Sequence, residues 1–262
     1  MKRRVSFKND QGLTLRGVVY EPRQPEAKAS IVCLHGFPGS IKGRTAKRLG
    51  PALVKKGYRV LQFNFSGTPD SDGKFEQKLM SREVKDTKAA IDFFLKKYPS
   101  EKLVLFGHST GAIDAGLYAH KDKRVKGLVL SGCVGKLSQA VRYDFTDEQV
   151  REFWTKGYAS YTARGHWSDG LRIKKAFYDE FFTLDLPGSI AKYRGATLVV
   201  HGNADDAVPV KHAKEAYTAA RKPKRLVIIP GADHAYSGRK SLGRLVAAVD
   251  EFVKTLLKKT NK

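Results

Sequence analysis

Sulfur, acid and long apolar runs are what this sequence has least of. It holds two cysteines and two methionines in 262 residues. Cys33 and Cys133 each lie at the end of an apolar run, so they read as buried free thiols. Two cysteines build neither a disulfide framework nor a four-ligand metal site, and no metal or other cofactor is expected. No stretch reaches the roughly 18 apolar residues that a membrane-spanning helix needs. Met1-Lys2-Arg3-Arg4 could open a signal peptide, but Val5 to Gln11 is polar and no apolar core follows, so a cytoplasmic protein is expected. Acidic residues are scarce, 26 against 49 Lys and Arg, which leaves a net charge of +23 at pH 7. Such a surface attracts anions, nucleic acid included. The charge, however, runs along the whole chain from Lys2 to Lys262. No basic helix with interleaved aromatics and no nucleic-acid motif is present, so no specific nucleic-acid partner is expected.

What remains is enough for one large domain: 41% of the residues are hydrophobic, sufficient for a core without cross-links. Short apolar runs alternate with helical spacing. The N-terminus alternates like a strand through Val5, Phe7, Leu13, Leu15 and Val18. Strands are predicted at 29–34, 58–65, 102–106, 125–130, 197–200 and 225–229, with helices at 45–56, 83–97, 111–119 and 240–257. This order predicts an α/β fold, a mostly parallel central sheet with helices on both faces. The alternation breaks between residues 134 and 193. That segment holds both tryptophans, Trp154 and Trp167, and ten further Tyr and Phe residues. It is read as a largely helical lid inserted into a core made of 1–133 and 194–262. Part of its aromatic set must form the lid's own interior.

Four motifs carry chemistry. Phe106-Gly107-His108-Ser109-Thr110-Gly111 follows a predicted strand and opens a helix, the context that makes Gly-x-Ser-x-Gly informative. The turn is tight, glycines leave room for it, and the serine hydroxyl stands above the sheet edge. Leu34-His35-Gly36-Phe37-Pro38-Gly39 ends an earlier strand. Its Phe37 N–H, with the Thr110 N–H, is the expected oxyanion hole; Pro38 has no N–H to give, and His35 is read as a brace for the loop. Val200-His201-Gly202-Asn203-Ala204-Asp205-Asp206 places two carboxylates after a strand, and Pro230-Gly231-Ala232-Asp233-His234 places a histidine after the next. The order Ser, Asp, His suits a nucleophile (Ser109), an acid (Asp205 or Asp206) and a general base (His234) in an α/β-hydrolase fold. Resemblance to other His-Gly-x-x-Asp-x-x-Val-Pro sequences favours Asp205. Asp70-Ser71-Asp72-Gly73 lacks the later ligands of a calcium loop and reads as a turn. Asp114 is an unexpected charge on the helix after Ser109. His108, His120, His166 and His212 show no ligand spacing and read as structural or surface residues.

The sequence resembles the feruloyl (cinnamoyl) esterases of bacteria and archaea, the small lidded kind. The resemblance runs through Leu34 to Phe37, Phe63-Asn64-Phe65-Ser66-Gly67, Asp70 to Glu76, the serine elbow and Gly231 to His234, which is nearly the whole chain outside the lid. Gly67-Thr68-Pro69 stands where the family often has Gly-His-Gly, and Thr110 where Gln is common. The resemblance implies a serine carboxylic ester hydrolase working through an acyl-enzyme. Its substrate would be a small aromatic-acyl ester, with aromatic polyesters as a side activity. On that basis Phe37, Tyr143, Phe145, Trp154, Tyr158, Tyr161 and Trp167 are the expected substrate-contacting aromatics. Competing readings are a lysophospholipase, monoacylglycerol lipase or acyl-thioesterase, a prolyl-oligopeptidase-type peptidase, and two non-enzymes: a binding protein on a hydrolase scaffold or a basic nucleic-acid-binding module. The complete triad argues against the binding protein; salt-dependent DNA retention without esterase activity would favour the basic module. The natural ester and the oligomeric state are not written in the sequence.

Overall fold

The computed structural model describes residues 1–24 and 26–259; residues 260–262, the end of the expected core and Lys262 with it, lie outside the described residues. The N-terminal alternation forms a hairpin of β1 (Lys2–Lys8) and β2 (Thr14–Tyr20). Asn9 makes its turn, its side-chain oxygen accepting from the Gln11 and Leu13 N–H groups at 3.0 Å each. There follow β3 (Ser30–Leu34), α1 (Arg44–Val54), β4 (Arg59–Asn64), α2 (Met80–Lys97), β5 (Leu103–His108), α3 (Thr110–Ala119) and β6 (Val125–Ser131). β3 is buried at every position, as a strand covered on both faces must be.

After β6 the chain leaves the sheet. It forms α4 (Leu137–Asp144), α5 (Asp147–Lys156), the short strands β7 (Tyr158–Ser160) and β8 (Arg172–Lys174), α6 (Lys175–Thr183) and α7 (Leu186–Lys192). α5 is delimited by its own sequence: Thr146 and Gln149 form a reciprocal capping box, and Gly157 ends it at φ 77°. The β7–β8 pair is an antiparallel ribbon of its own, too short to be found by alternation. The chain returns through β9 (Ala196–Gly202), α8 (Lys211–Ala219), β10 (Lys224–Ile229) and α9 (Arg239–Lys259). α8 follows Pro209 and is given no bounds by the sequence, since it carries only a short apolar pattern.

Among the described residues eight strands form one sheet in the order β1-β2-β4-β3-β5-β6-β9-β10. β1–β2 and β2–β4 are antiparallel; every other pairing is parallel. On one face Leu49 and Leu53 of α1 and Leu245 and Val249 of α9 pack on Ile31, Val60 and Val104. On the other, Val84 and Ile91 of α2 and Ala115 of α3 pack on Val32, Leu105 and Leu128, and the 134–193 segment joins this second core. The sheet is the α/β-hydrolase arrangement, and it delivers the carboxyl ends of β3, β5, β6, β9 and β10 to one edge.

Candidate active site

β5 runs straight into Ser109, which sits at φ 57°, ψ −127° before α3 begins. A non-glycine residue in that region is strained and survives only where its surroundings enforce it. Here the enforcement is close packing. A Cβ on Gly107 would collide with the Gly111 carbonyl, and one on Gly111 with the His35 carbonyl. A Cβ on Gly36 would lie 2.7 Å from the Ser109 Cβ. α3 has no side-chain cap; the Ala112 N–H donates to the Ser109 carbonyl at 2.8 Å, and the Thr110 and Gly111 N–H groups stay open behind Ser109. Among the described residues neither the Phe37 N–H nor the Thr110 N–H is taken up by a protein acceptor.

The register of β9 against β10 aligns Gly202 with Ile229, so the loops after both strands leave at the same level. Asp205 and His234 meet there: Asp205 Oδ2 lies 2.8 Å from His234 Nδ1. Asp205 Oδ1 accepts from the Ala207 and Val208 N–H groups at 3.0 and 2.7 Å. His201 Nε2 stands 3.1 Å from the same Oδ2 and 2.8 Å from the Val208 carbonyl. Burial of Asp205 would raise its pKa, but the His201 and His234 hydrogen bonds outweigh that and hold the carboxyl well below the usual range. Asp206 is exposed. Asp233 turns away, accepting from the Ser237 N–H at 2.7 Å.

Ser109 and His234 face one cavity of about 210 Å³, lined also by Gly36, Phe37, Arg44 and His166. His108 stacks beside His234 with ring centroids 5.0 Å apart. Burial, and next the His234 charge, push His108 down to about 3, which leaves it a neutral neighbour. His35 braces the Phe37 loop. Its Nδ1 donates to the Gly36 carbonyl at 2.9 Å, so its Nε2 accepts the Phe65 N–H at 3.4 Å.

The aromatic candidates divide. Phe37 gathers Phe145 (6.4 Å), Tyr161 (5.6 Å) and Phe177 (4.8 Å) around it. Trp167 packs on Phe75, which stacks on Phe37. Tyr143 points elsewhere, its hydroxyl 3.1 Å from His212 Nε2. Tyr158 lies under the Arg172 guanidinium. Trp154 is 67% exposed beneath the Lys175 ammonium. Of the expected aromatics Phe37 lines the cavity of Ser109 and His234; Tyr143, Phe145, Trp154, Tyr158, Tyr161 and Trp167 do not. Sequence reasoning missed three groups. His201 supports Asp205, and the His-Gly at the end of β9 is the signal that could have found it. His166 reaches the cavity from the inserted segment. Asp144, next to Tyr143, stands close enough to feel the His234 charge; burial pushes it up to about 7 against that charge. Among the described residues no cluster of His, Cys, Asp and Glu has the geometry of a metal site.

The profile of the family described as serine aminopeptidase, S33, matches residues 25–175. Among solved structures, Est1E from Butyrivibrio proteoclasticus with ferulic acid bound superposes at a TM-score of 0.80 and 24% identity, covering 97% of this chain and 99% of that one. The esterase domain of a Rhodothermus marinus protein gives a TM-score of 0.74 at 22% identity, over 97% of this chain and 98% of the other. In sequence, YfhR of Salmonella typhi is 25% identical over 227 residues, 83% of this chain and 68% of YfhR.

Proposed function

The chain belongs to the serine aminopeptidase S33 family, and from that premise we propose that it is a serine carboxylic ester hydrolase with an aromatic-acyl preference. The observation that carries this is the Asp205–His234 hydrogen bond of 2.8 Å, set beside a serine held at positive φ in the same cavity. Ester hydrolysis in general agrees with the family and with the esterases among its structural neighbours.

In this reading His234 Nε2 takes the Ser109 proton as Oγ attacks the ester carbon. Asp205, ionised, fixes the proton of the imidazole on Nδ1 and stabilises the imidazolium that forms. The N–H groups of Phe37 and Thr110 receive the developing oxyanion. His234 then protonates the departing alcohol, leaving an acyl group on Ser109, and activates a water to release the acid. The aromatic acyl preference is supported by Phe37, which lines the cavity beside Ser109 with Phe145 and Tyr161 packed on it, and by the likeness to a ferulic acid-bound esterase. The 134–193 segment, emerging over this edge of the sheet, is the proposed lid.

The test is one activity panel: methyl ferulate, short-chain nitrophenyl esters, a long-chain acylglycerol and a peptide anilide. The account expects methyl ferulate to be cleaved with the highest kcat/KM and chelator treatment to change nothing. Preference for the acylglycerol would favour the lipase or lysophospholipase reading. Cleavage of the anilide alone would favour the peptidase that the family description suggests.

A further inference from the structure

Asp114 lies five residues past the proposed nucleophile on α3, with none of its surface exposed. Neither of its oxygens has a hydrogen-bond partner as a carboxylate. Its neighbour is another buried acid, Glu83 of α2, and two carboxylates, both acceptors, can bond only by sharing a proton. Burial, then the Glu83 charge, drives Asp114 toward the protonated form, and Glu180 of the inserted segment adds to it; the Lys78 ammonium opposes. Glu83 is itself pushed up by burial and by Asp86, and Lys78 pulls against that. One cation thus faces several acids in a dry site, and a proton restores the balance.

The cluster is tied to the catalytic edge at both ends. Lys78, 4% exposed, donates to Glu83 and, at 3.4 Å, to the Ser66 carbonyl. Ser66 hangs by its N–H and hydroxyl from Asp86 at 2.8 and 2.7 Å, and Asp86 also holds Asn9 at 2.7 Å. The Phe65 N–H, one residue earlier, reaches His35 Nε2, and His35 holds the Gly36 carbonyl in the loop of Phe37. The chain of contacts therefore runs from the helix that opens with Thr110 to the loop that carries Phe37. Those two elements supply the two N–H groups that must converge on one oxyanion, where an error near 1 Å is costly.

We propose that Asp114, holding a proton shared with Glu83 and backed by Lys78, is a positioning residue that keeps the two oxyanion-hole donors in register. The proposal rests on the hydrolase reading above. The probe is nitrophenyl acetate with the full-length chain and its Asp114→Ala and Asp114→Asn variants. Asp114→Ala should lower kcat about ten-fold with KM within about two-fold, because the loss falls on the transition state. Asp114→Asn, a fixed neutral donor, should restore most of that. It should also hold its kcat at alkaline pH, where the wild type declines as the shared proton leaves. The wild-type infrared spectrum at neutral pH should carry an un-ionised carboxyl band that the Asp114→Asn spectrum lacks, over the contribution of Asp144 that both proteins share. Equal kcat and the same pH profile in all three proteins would overturn the proposal, as would an Asn variant as impaired as Ala. If Asp114→Ala does not fold, the Asn pH profile and the infrared band decide. A wild type that cleaves no ester would remove the hydrolase reading and the positioning role together. The band, independent of turnover, would still report whether the proton is there.

Discussion

At the scale of single residues, the choice between Asp205 and Asp206 shows how far the sequence reaches. Both follow β9 and either could orient a histidine by spacing alone. The structure puts the first 2.8 Å from His234 and leaves the second exposed. Asp205→Asn should therefore lower kcat by on the order of 10³-fold or more, since the wrong imidazole tautomer is then favoured. Asp206→Asn should stay within about two-fold of wild type. Steady-state kinetics on one ester reads both, and a reversed order would move the acid by one position. Asp205 also links pH to stability. Its folded carboxyl lies below the unfolded value of about 4, so it stabilises the fold above that pH and the contribution fades as pH falls toward the folded value. Unfolding of wild type and Asp205→Asn across acidic pH should converge as the solution becomes more acid. A gap that widens instead would contradict the sign. His201 and Asp144 were not legible in the sequence for a common reason: each matters through a neighbour distant in the chain, and no spacing rule encodes that.

At the scale of elements, the long periodic pieces could be read from the chain and the short ones could not. β3, β5 and β6 announce themselves as unbroken apolar runs because helices cover both their faces. β7 and β8, three residues each, and α8 after Pro209 carry too little pattern. The inserted segment was recognisable by the break in alternation and its aromatic content, but which rings face the serine was not, since core rings and site rings are the same residues. Of the expected rings Phe37 lines the serine cavity, and the others differ in whether they touch Phe37. Tyr161, which meets Phe37 edge-on at 5.6 Å, should matter to an aromatic acyl group. Trp154, 67% exposed, should not. Tyr161→Ala is expected to lower kcat/KM for methyl ferulate about ten-fold relative to nitrophenyl acetate, the loss of one aromatic contact. Trp154→Ala should leave that ratio unchanged. If Trp154→Ala moves the ratio and Tyr161→Ala does not, the substrate lies on the other side of the segment.

At the scale of the whole molecule, the charge is unevenly placed in a way composition hides. Residues 134–193 hold nine basic and eight acidic side chains, so nearly all of the +23 belongs to the rest of the chain. Among the described residues no helix is long and apolar enough to cross a membrane. A basic surface without a base-reading element should bind polyanions weakly and without sequence preference. Retention on a heparin matrix should fall steeply with salt, and two DNA duplexes of unrelated sequence should compete equally. A preference for one duplex would point to a readout that the motifs do not contain. The sheet, the elbow and the two loops of Asp205 and His234 nonetheless bring the proposed chemistry to one atom, Ser109 Oγ, and the covalent step proposed there can be caught. The most direct measurement is mass spectrometry of the protein quenched during turnover of a nitrophenyl ester, with peptide mapping of the adduct. The account predicts an acyl group on the Ser109 peptide, formed with a burst of nitrophenol, and no adduct or turnover in Ser109→Ala, a loss on the order of 10⁴-fold or more. Ester cleavage persisting in Ser109→Ala, or an acyl group mapped to any other residue, would contradict it.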